Sequence, residues 1–153
     1  MEVAESRRPE LEPFEALAGA WKSIATHPSL PGVEVPGTAT FEWLEGGHFL
    51  IGRSRNEHAD FPDSLLVIGA GGDGLVMHYY DSRGVERVYG TSLRDGVWRL
   101  WRDDPDFAQR FVGTFEDRGS TITGLWKVAE DGGTWADDLA ISYTAAPSED
   151  PSR

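Results

Sequence analysis

Five turn signals between Leu75 and Tyr143 decide what this chain can fold into. They are Ser82-Arg83-Gly84, Arg94-Asp95-Gly96, Asp103-Asp104-Pro105-Asp106, Asp117-Arg118-Gly119-Ser120 and Glu130-Asp131-Gly132-Gly133. Four set glycine beside Asp, Arg or Ser, the chemistry of hairpin turns that need positive φ. The other combines Pro and Asp as a type I turn does. The segments between them read as strands: Leu75–Asp81, Val85–Leu93, Val97–Arg102, Phe107–Glu116, Thr121–Ala129 and Thr134–Thr144. Parallel neighbours need a crossover of about a dozen residues or more, and no connector here is that long. The reading is therefore an antiparallel meander.

The first half of the chain continues the rhythm. Pro13-Phe14-Glu15-Ala16-Leu17-Ala18 suits a short amphipathic helix, with Pro at its first turn and Gly19 stopping it. Trp21–Thr26 alternates as a first strand. Thr38–Glu45 and His48–Asn56 form a hairpin across Gly46-Gly47, and Ser64–Ala70 is a short apolar strand. About ten strands result, with turn signals about every ten residues, the spacing of a barrel or sandwich. An up-and-down order closes on itself and removes its edges, whereas a sandwich needs long Greek-key connections. Only His27–Gly37 and Glu57–Asp63 are long. The predicted fold is all-β: a closed antiparallel up-and-down barrel with a short N-terminal helix. Residues 1–12 are expected to be flexible, 13–145 to form one domain and 146–153 to be a disordered tail.

Composition narrows the partners. The net charge of −12 repels phosphate backbones and anionic membranes, so neither nucleic acid nor a membrane is expected. No cysteine is present, which fits a reducing cytosol, and no secretory signal or spanning apolar stretch is read. A cytoplasmic monomer or weak homodimer is the expectation.

Gly19-Ala20-Trp21, after a short helix and opening the first strand, resembles the G-x-W signature of calycins. That group includes lipocalins, fatty-acid-binding proteins, avidins and nitrobindin-like haem barrels. The strand count is closest to the fatty-acid-binding and nitrobindin-like members. Tyr80-Asp81-Ser82-Arg83-Gly84, Leu100-Trp101-Arg102-Asp103, Gln109-Arg110-Phe111, Gly133-Thr134-Trp135 and Ile141-Ser142-Tyr143 look like a group of bacterial lipocalin-like proteins. The resemblance implies a barrel holding an apolar ligand. Nitrobindin-like barrels carry a haem-ligating His near the end, yet Trp135–Ala145 has none, so no cofactor is expected. Fatty-acid-binding barrels carry Arg-x-Tyr in the last strand, where this chain has Ile141-Ser142-Tyr143.

The residues themselves carry no catalytic signature. G-x-S-x-G, a P-loop and a Rossmann fingerprint are all missing. The four histidines, His27, His48, His58 and His78, show no metal-ligand spacing, and His27 and His58 read as solvated loop residues. Asp137-Asp138 places one carboxylate inward in a regular strand, where it would pair with an arginine. Apolar stripes are the larger signal: Phe107, Phe111 and Phe115; Ile122, Trp126 and Val128; Leu139, Ile141 and Tyr143. Gly113 and Gly124 within them leave room for a cavity. The expected ligand walls are Trp21, Met77 or His78, Tyr89, Phe111, Trp126 and Tyr143, with His78 or Arg110 orienting a ligand. Met77 and His78 are alternatives, because strand parity is open there. The expected function is binding of an apolar or aromatic small molecule. The alternative is a small isomerase or cyclase using an acid–base group in the same cavity.

Overall fold

A computed structural model describes residues 8–72, 74–131 and 133–146. Ten strands follow in order: β1 Gly19–Thr26, β2 Val35–Trp43, β3 Leu50–Asn56, β4 Ser64–Ala70 and β5 Leu75–Asp81. Then come β6 Glu86–Arg94, β7 Val97–Arg102, β8 Ala108–Glu116, β9 Thr121–Ala129 and β10 Ala136–Ala145. Each strand pairs antiparallel with its sequence neighbours, and β1 pairs with both β2 and β10. Trp21 thus stands opposite Ala145 on one side and Ala39 on the other. Closure leaves no strand edge unpaired, the hazard that an open sheet must otherwise manage. The tightest turn is Asp95-Gly96, with φ of 53° and 75°, the left-handed pair that matches the twist of a two-residue hairpin.

Ahead of β1 runs a 3-10 helix, Pro9–Leu17. It begins before the short helix read from sequence and winds more tightly. Pro13 lies inside it, and in an α-helix its ring would clash with the carbonyl of Pro9 four residues back. Leu11, Phe14 and Leu17 recur every three residues, the 3-10 period, so all three fall on one buried face. That face plugs one end of the barrel. Packed beneath it are Trp21, Leu50, Ile68, Leu75 and Leu93. The indole N–H of Trp21 donates to Leu17 O at 2.8 Å, and that of Trp43 donates to Glu15 Oε1 at 2.8 Å, so the plug is tied to β1 and β2.

The expectations for the chain ends at residues 1–7 and 147–153 lie outside the described residues. Among the described residues no helix is long and apolar enough to cross a membrane, and no group of three or more His, Cys, Asp or Glu side chains could hold a metal ion.

Candidate ligand-binding cavity

Opposite the plug, the interior opens into a cavity of about 510 Å³. This lies within the usual range for small-molecule sites, about 300–1,000 Å³. Its floor is a chain of aromatic rings contributed by alternate, inward positions of successive strands. Phe41 meets Trp98 with centroids 6.2 Å apart, Trp98 meets Phe111 at 5.3 Å, and Phe111 meets Trp126 at 5.1 Å. Trp126 then meets Tyr89 at 5.4 Å, and Tyr89 meets Tyr79 at 6.2 Å. Most of these pairs are edge-to-face, the geometry favoured by ring quadrupoles.

Gly113 and Gly124 face each other across β8 and β9. The room they leave is taken by Phe111: a Cβ on Gly124 would stand 2.6 Å from its ring, and one on Gly113 2.9 Å. The glycines therefore seat the aromatic floor. The hollow lies above it, where Ser54, Ser64 and Leu66 meet Met77 and Tyr79.

Polar groups of the wall fall into two sets. One set is internally satisfied. Trp98 Nε1–H donates to Thr91 Oγ1 at 3.1 Å, and that hydroxyl donates to Arg99 O at 3.0 Å. The Ser54 and Ser64 hydroxyls bond each other at 2.7 Å. Tyr79 O–H donates to Asp81 Oδ2 at 2.6 Å, and Arg83 reaches the same oxygen through Nη2 at 2.6 Å. The Asp81 side chain has no solvent exposure. Burial works against its charge, but Arg83, Tyr79 and the backbone N–H groups of Arg83 and Val85 hold the carboxyl well below the usual carboxylate range. Burial first, and the Asp81 carboxylate second, push the Tyr79 hydroxyl above its ordinary range.

The other set is left with free capacity. Gln109, 6% exposed, accepts Tyr89 O–H on Oε1 at 2.9 Å, and among the described residues its carboxamide N–H groups have no partner. Tyr143 lines the cavity, and among the described residues its hydroxyl makes no hydrogen bond; burial alone pushes it up to about 12. A buried donor without an acceptor costs roughly 1–3 kcal/mol, so the Gln109 carboxamide marks where a ligand atom would be welcome, while the Tyr143 hydroxyl belongs to a half-buried residue facing the open cavity.

The residues expected from sequence separate cleanly. Met77, Tyr89, Phe111, Trp126 and Tyr143 line the cavity. Trp21 is buried beneath it, 6.5 Å edge-on to Tyr143, and supports the wall from the plug side. Parity in β5 turns Met77 in and His78 out, where His78 stands between Val67 and Val88 on the outer face. Arg110 also projects outward, paired with Asp103 and lying 5.2 Å over the Trp135 ring. Neither His78 nor Arg110 lines the cavity; Arg110 reaches the outer backbone, its Nη1 donating to Gln109 O at 3.1 Å.

The mouth holds His27, which the sequence reading left on the surface, and Asp138, one of the two carboxylates between which it left the inward position open. His27 lines the mouth, with Nε2 2.6 Å from Asp138 Oδ1 and Nδ1 2.8 Å from Ser29 Oγ. Asp138 arrives there through a bulge. The β10–β9 register steps by one residue between Asp137 and Ala140, so Asp137 faces outward to Lys127 while Asp138 and Leu139 both line the cavity. Bulges re-aim side chains in this way. The inward carboxylate thus takes a histidine as its partner, and the arginine expected from sequence is absent from the pair. Arg87, 5.2 Å over the Phe107 ring, and Arg83 complete the rim.

Barrel, plug and cavity together fit a calycin-like fold. No protein-family model and no curated protein matches the chain. Among solved structures it is similar to Rv2717c from M. tuberculosis, at 15% identity and a TM-score of 0.66, covering 93% of this chain and 100% of that one. It is also similar to the S-type phycobiliprotein lyase CPES from Guillardia theta, at 12% identity and a TM-score of 0.58, over 93% and 96% of the two chains. A DUF3598-family protein of unknown function from Nostoc punctiforme aligns at 15% identity and a TM-score of 0.58, the chain spanning 52% of its length. At these identities the likeness is one of fold.

Proposed function

We propose that the barrel binds an apolar or aromatic small molecule in its interior, with the aromatic floor against the ligand's flat face. The observation that carries this reading is the cavity of about 510 Å³ in whose wall Gln109 N–H and Tyr143 O–H have no partner among the described residues. A core meant only for packing would fill that space and satisfy those groups. The favoured ligand has an acceptor atom, such as a carbonyl or ether oxygen, within reach of Gln109. The count of ten strands supports a reading nearest the fatty-acid-binding and nitrobindin-like barrels. Haem is less favoured because residues 135–145 contain no histidine. That a phycobiliprotein lyase shares the fold supports use of such a barrel on a small molecule. Acid–base chemistry in this cavity would draw on His27 and Asp138, since His78 stands outside.

Affinity comes mainly from apolar burial, about 25 cal/mol per Å² before association costs. A thermal-shift screen of fatty acids, retinoids, flavonoids, haem and polyketide-like aromatics tests the reading. A ligand at about 100 times its Kd stabilises the fold by about 2.7 kcal/mol, a readily measured rise in Tm. No shift and no quenching of tryptophan fluorescence by any class would contradict it.

A further inference from the structure

We propose that Ser29, His27 and Asp138 form a hydrolytic relay at the cavity mouth that cleaves esters whose apolar or aromatic part enters the barrel. The proposal rests on the binding reading only for where that apolar part goes.

The three side chains form one hydrogen-bonded line: Ser29 Oγ to His27 Nδ1 at 2.8 Å, and His27 Nε2 to Asp138 Oδ1 at 2.6 Å. The backbone N–H of Ser29 also donates to Nδ1, at 3.0 Å. That N–H can only donate, so Nδ1 is an acceptor and its ring carries the proton on Nε2, pointed at Asp138. The serine hydroxyl must then donate to Nδ1. This is the tautomer that a serine nucleophile needs: a basic nitrogen on the hydroxyl and a carboxylate on the opposite N–H. The β10 bulge is what delivers Asp138 to a residue 111 positions away. All three residues line the cavity, and Ser29 is exposed to an arriving substrate. Beside them Leu30, Phe61 and Leu139 form an apolar lip leading inward.

The chemistry balances with water as the only co-reactant. Ser29 Oγ forms a bond to the ester carbonyl carbon while its proton passes to His27 Nδ1, the Ser29 N–H giving up that lone pair as the proton arrives, and Asp138 holds the resulting imidazolium. The C–O bond to the alcohol breaks, and the alcohol leaves with the proton from Nδ1. Water then adds to the acyl-serine, gives its proton to Nδ1 and releases the acid. The C–O bond to Ser29 breaks and Oγ recovers that proton. Ser29 and His27 are the catalytic residues; Asp138 is a positioning residue acting through His27.

The full chain treated with an alkyl fluorophosphonate tests this, with peptide mass spectrometry locating the adduct and p-nitrophenyl butyrate reporting turnover. A single phosphonyl group on Ser29 is expected, with measurable ester hydrolysis. Ser29→Ala, a change at an exposed position, should lose both and keep the wild-type Tm. His27→Ala should slow labelling by about 10²–10⁴-fold, the usual worth of a general base. Asp138→Asn should lower kcat with little change in KM, and Asp138→Glu should restore part of it. An adduct only on another residue, no adduct with no hydrolysis, or equal labelling of Ser29 in His27→Ala would overturn the relay. If Ser29 is labelled while no compound shifts the wild-type Tm, the relay stands and the cavity reading falls.

Discussion

The two ends of this barrel are made of the same strands and do opposite things. At the plugged end, Leu11, Phe14, Leu17 and Trp21 fill the space, and the indole N–H groups of Trp21 and Trp43 are satisfied by Leu17 O and Glu15 Oε1. At the open end, the same inward parity leaves a hollow where the Gln109 carboxamide N–H groups and the Tyr143 phenol have no partner among the described residues, with a His–Asp pair at the rim. One end converts apolar burial into stability. The other withholds packing and keeps polar capacity free, which costs stability unless something binds. Phe111 marks the boundary, its ring lying over Gly113 and Gly124.

Substitutions at each end should therefore read out differently. The largest effect is expected from Trp21→Ala, which empties the plug and removes its bond to Leu17 O; large-to-small changes of this kind cost about 3–5 kcal/mol. Urea denaturation should show a steep fall in midpoint. An unchanged midpoint would mean the plug carries no load and the ends do not differ. Next comes Gly124→Ala. Its Cβ would stand 2.6 Å from the Phe111 ring and 3.2 Å from Ile141 O, so the ring must rise into the hollow. Overpacking of this sort costs about 1–3 kcal/mol, and ligand affinity should drop with it. Calorimetric titration separates the two losses.

Asp81 sharpens the comparison through acid. Its folded pKa is depressed, so its contribution is complete above the unfolded carboxyl pKa of about 3.9 and is lost as pH falls below it. Wild type and Asp81→Asn should differ in urea midpoint at pH 7 and converge toward pH 2. Equal midpoints at pH 7 would take the Tyr79–Asp81–Arg83 cluster out of the account. The smallest effect belongs to Tyr143→Phe. At pH 7 its stability should lie within about 0.5 kcal/mol of wild type, because the hydroxyl has no partner to lose among the described residues. At high pH the sign is specific. The folded pKa is raised to about 12 while the unfolded phenol ionises near 10. Between those values the unfolded state alone releases the proton, so wild-type stability falls as pH rises. The phenylalanine variant should show a shallower fall over that window.

Much of the barrel could be read from turn chemistry and period-two alternation. Leu75–Asp81, Val97–Arg102, Thr121–Ala129 and Ser64–Ala70 have the limits read from sequence, because glycine and aspartate bracket most of these ends. The helix was legible only in part: the three-residue spacing of Leu11, Phe14 and Leu17 signals a 3-10 winding, and a 3.6-residue template misses it. Within the site, Tyr89, Phe111 and Trp126 of the floor and Tyr143 of the wall were read from sequence, whereas Phe41, Trp98 and Tyr79 of the floor were missed. Met77 and His78 stayed alternatives because nothing local tells which face of one strand is inside. The rim was out of reach. His27 and Asp138 meet through a bulge and a long loop, and no periodicity encodes a partner 111 residues away. Gly113 and Gly124 read as vacancy because the ring seated on them is two residues or more away in sequence.

Native mass spectrometry with a filled-cavity control tests the central claim most directly. Wild-type protein incubated with the best compound of the screen should carry one ligand per chain, and Leu66→Trp, which puts an indole into the hollow while leaving the plug untouched, should carry none at equal Tm. A wild type that never takes up a ligand, or a Leu66→Trp variant that binds as well as wild type, would contradict a ligand site inside the open end of the barrel.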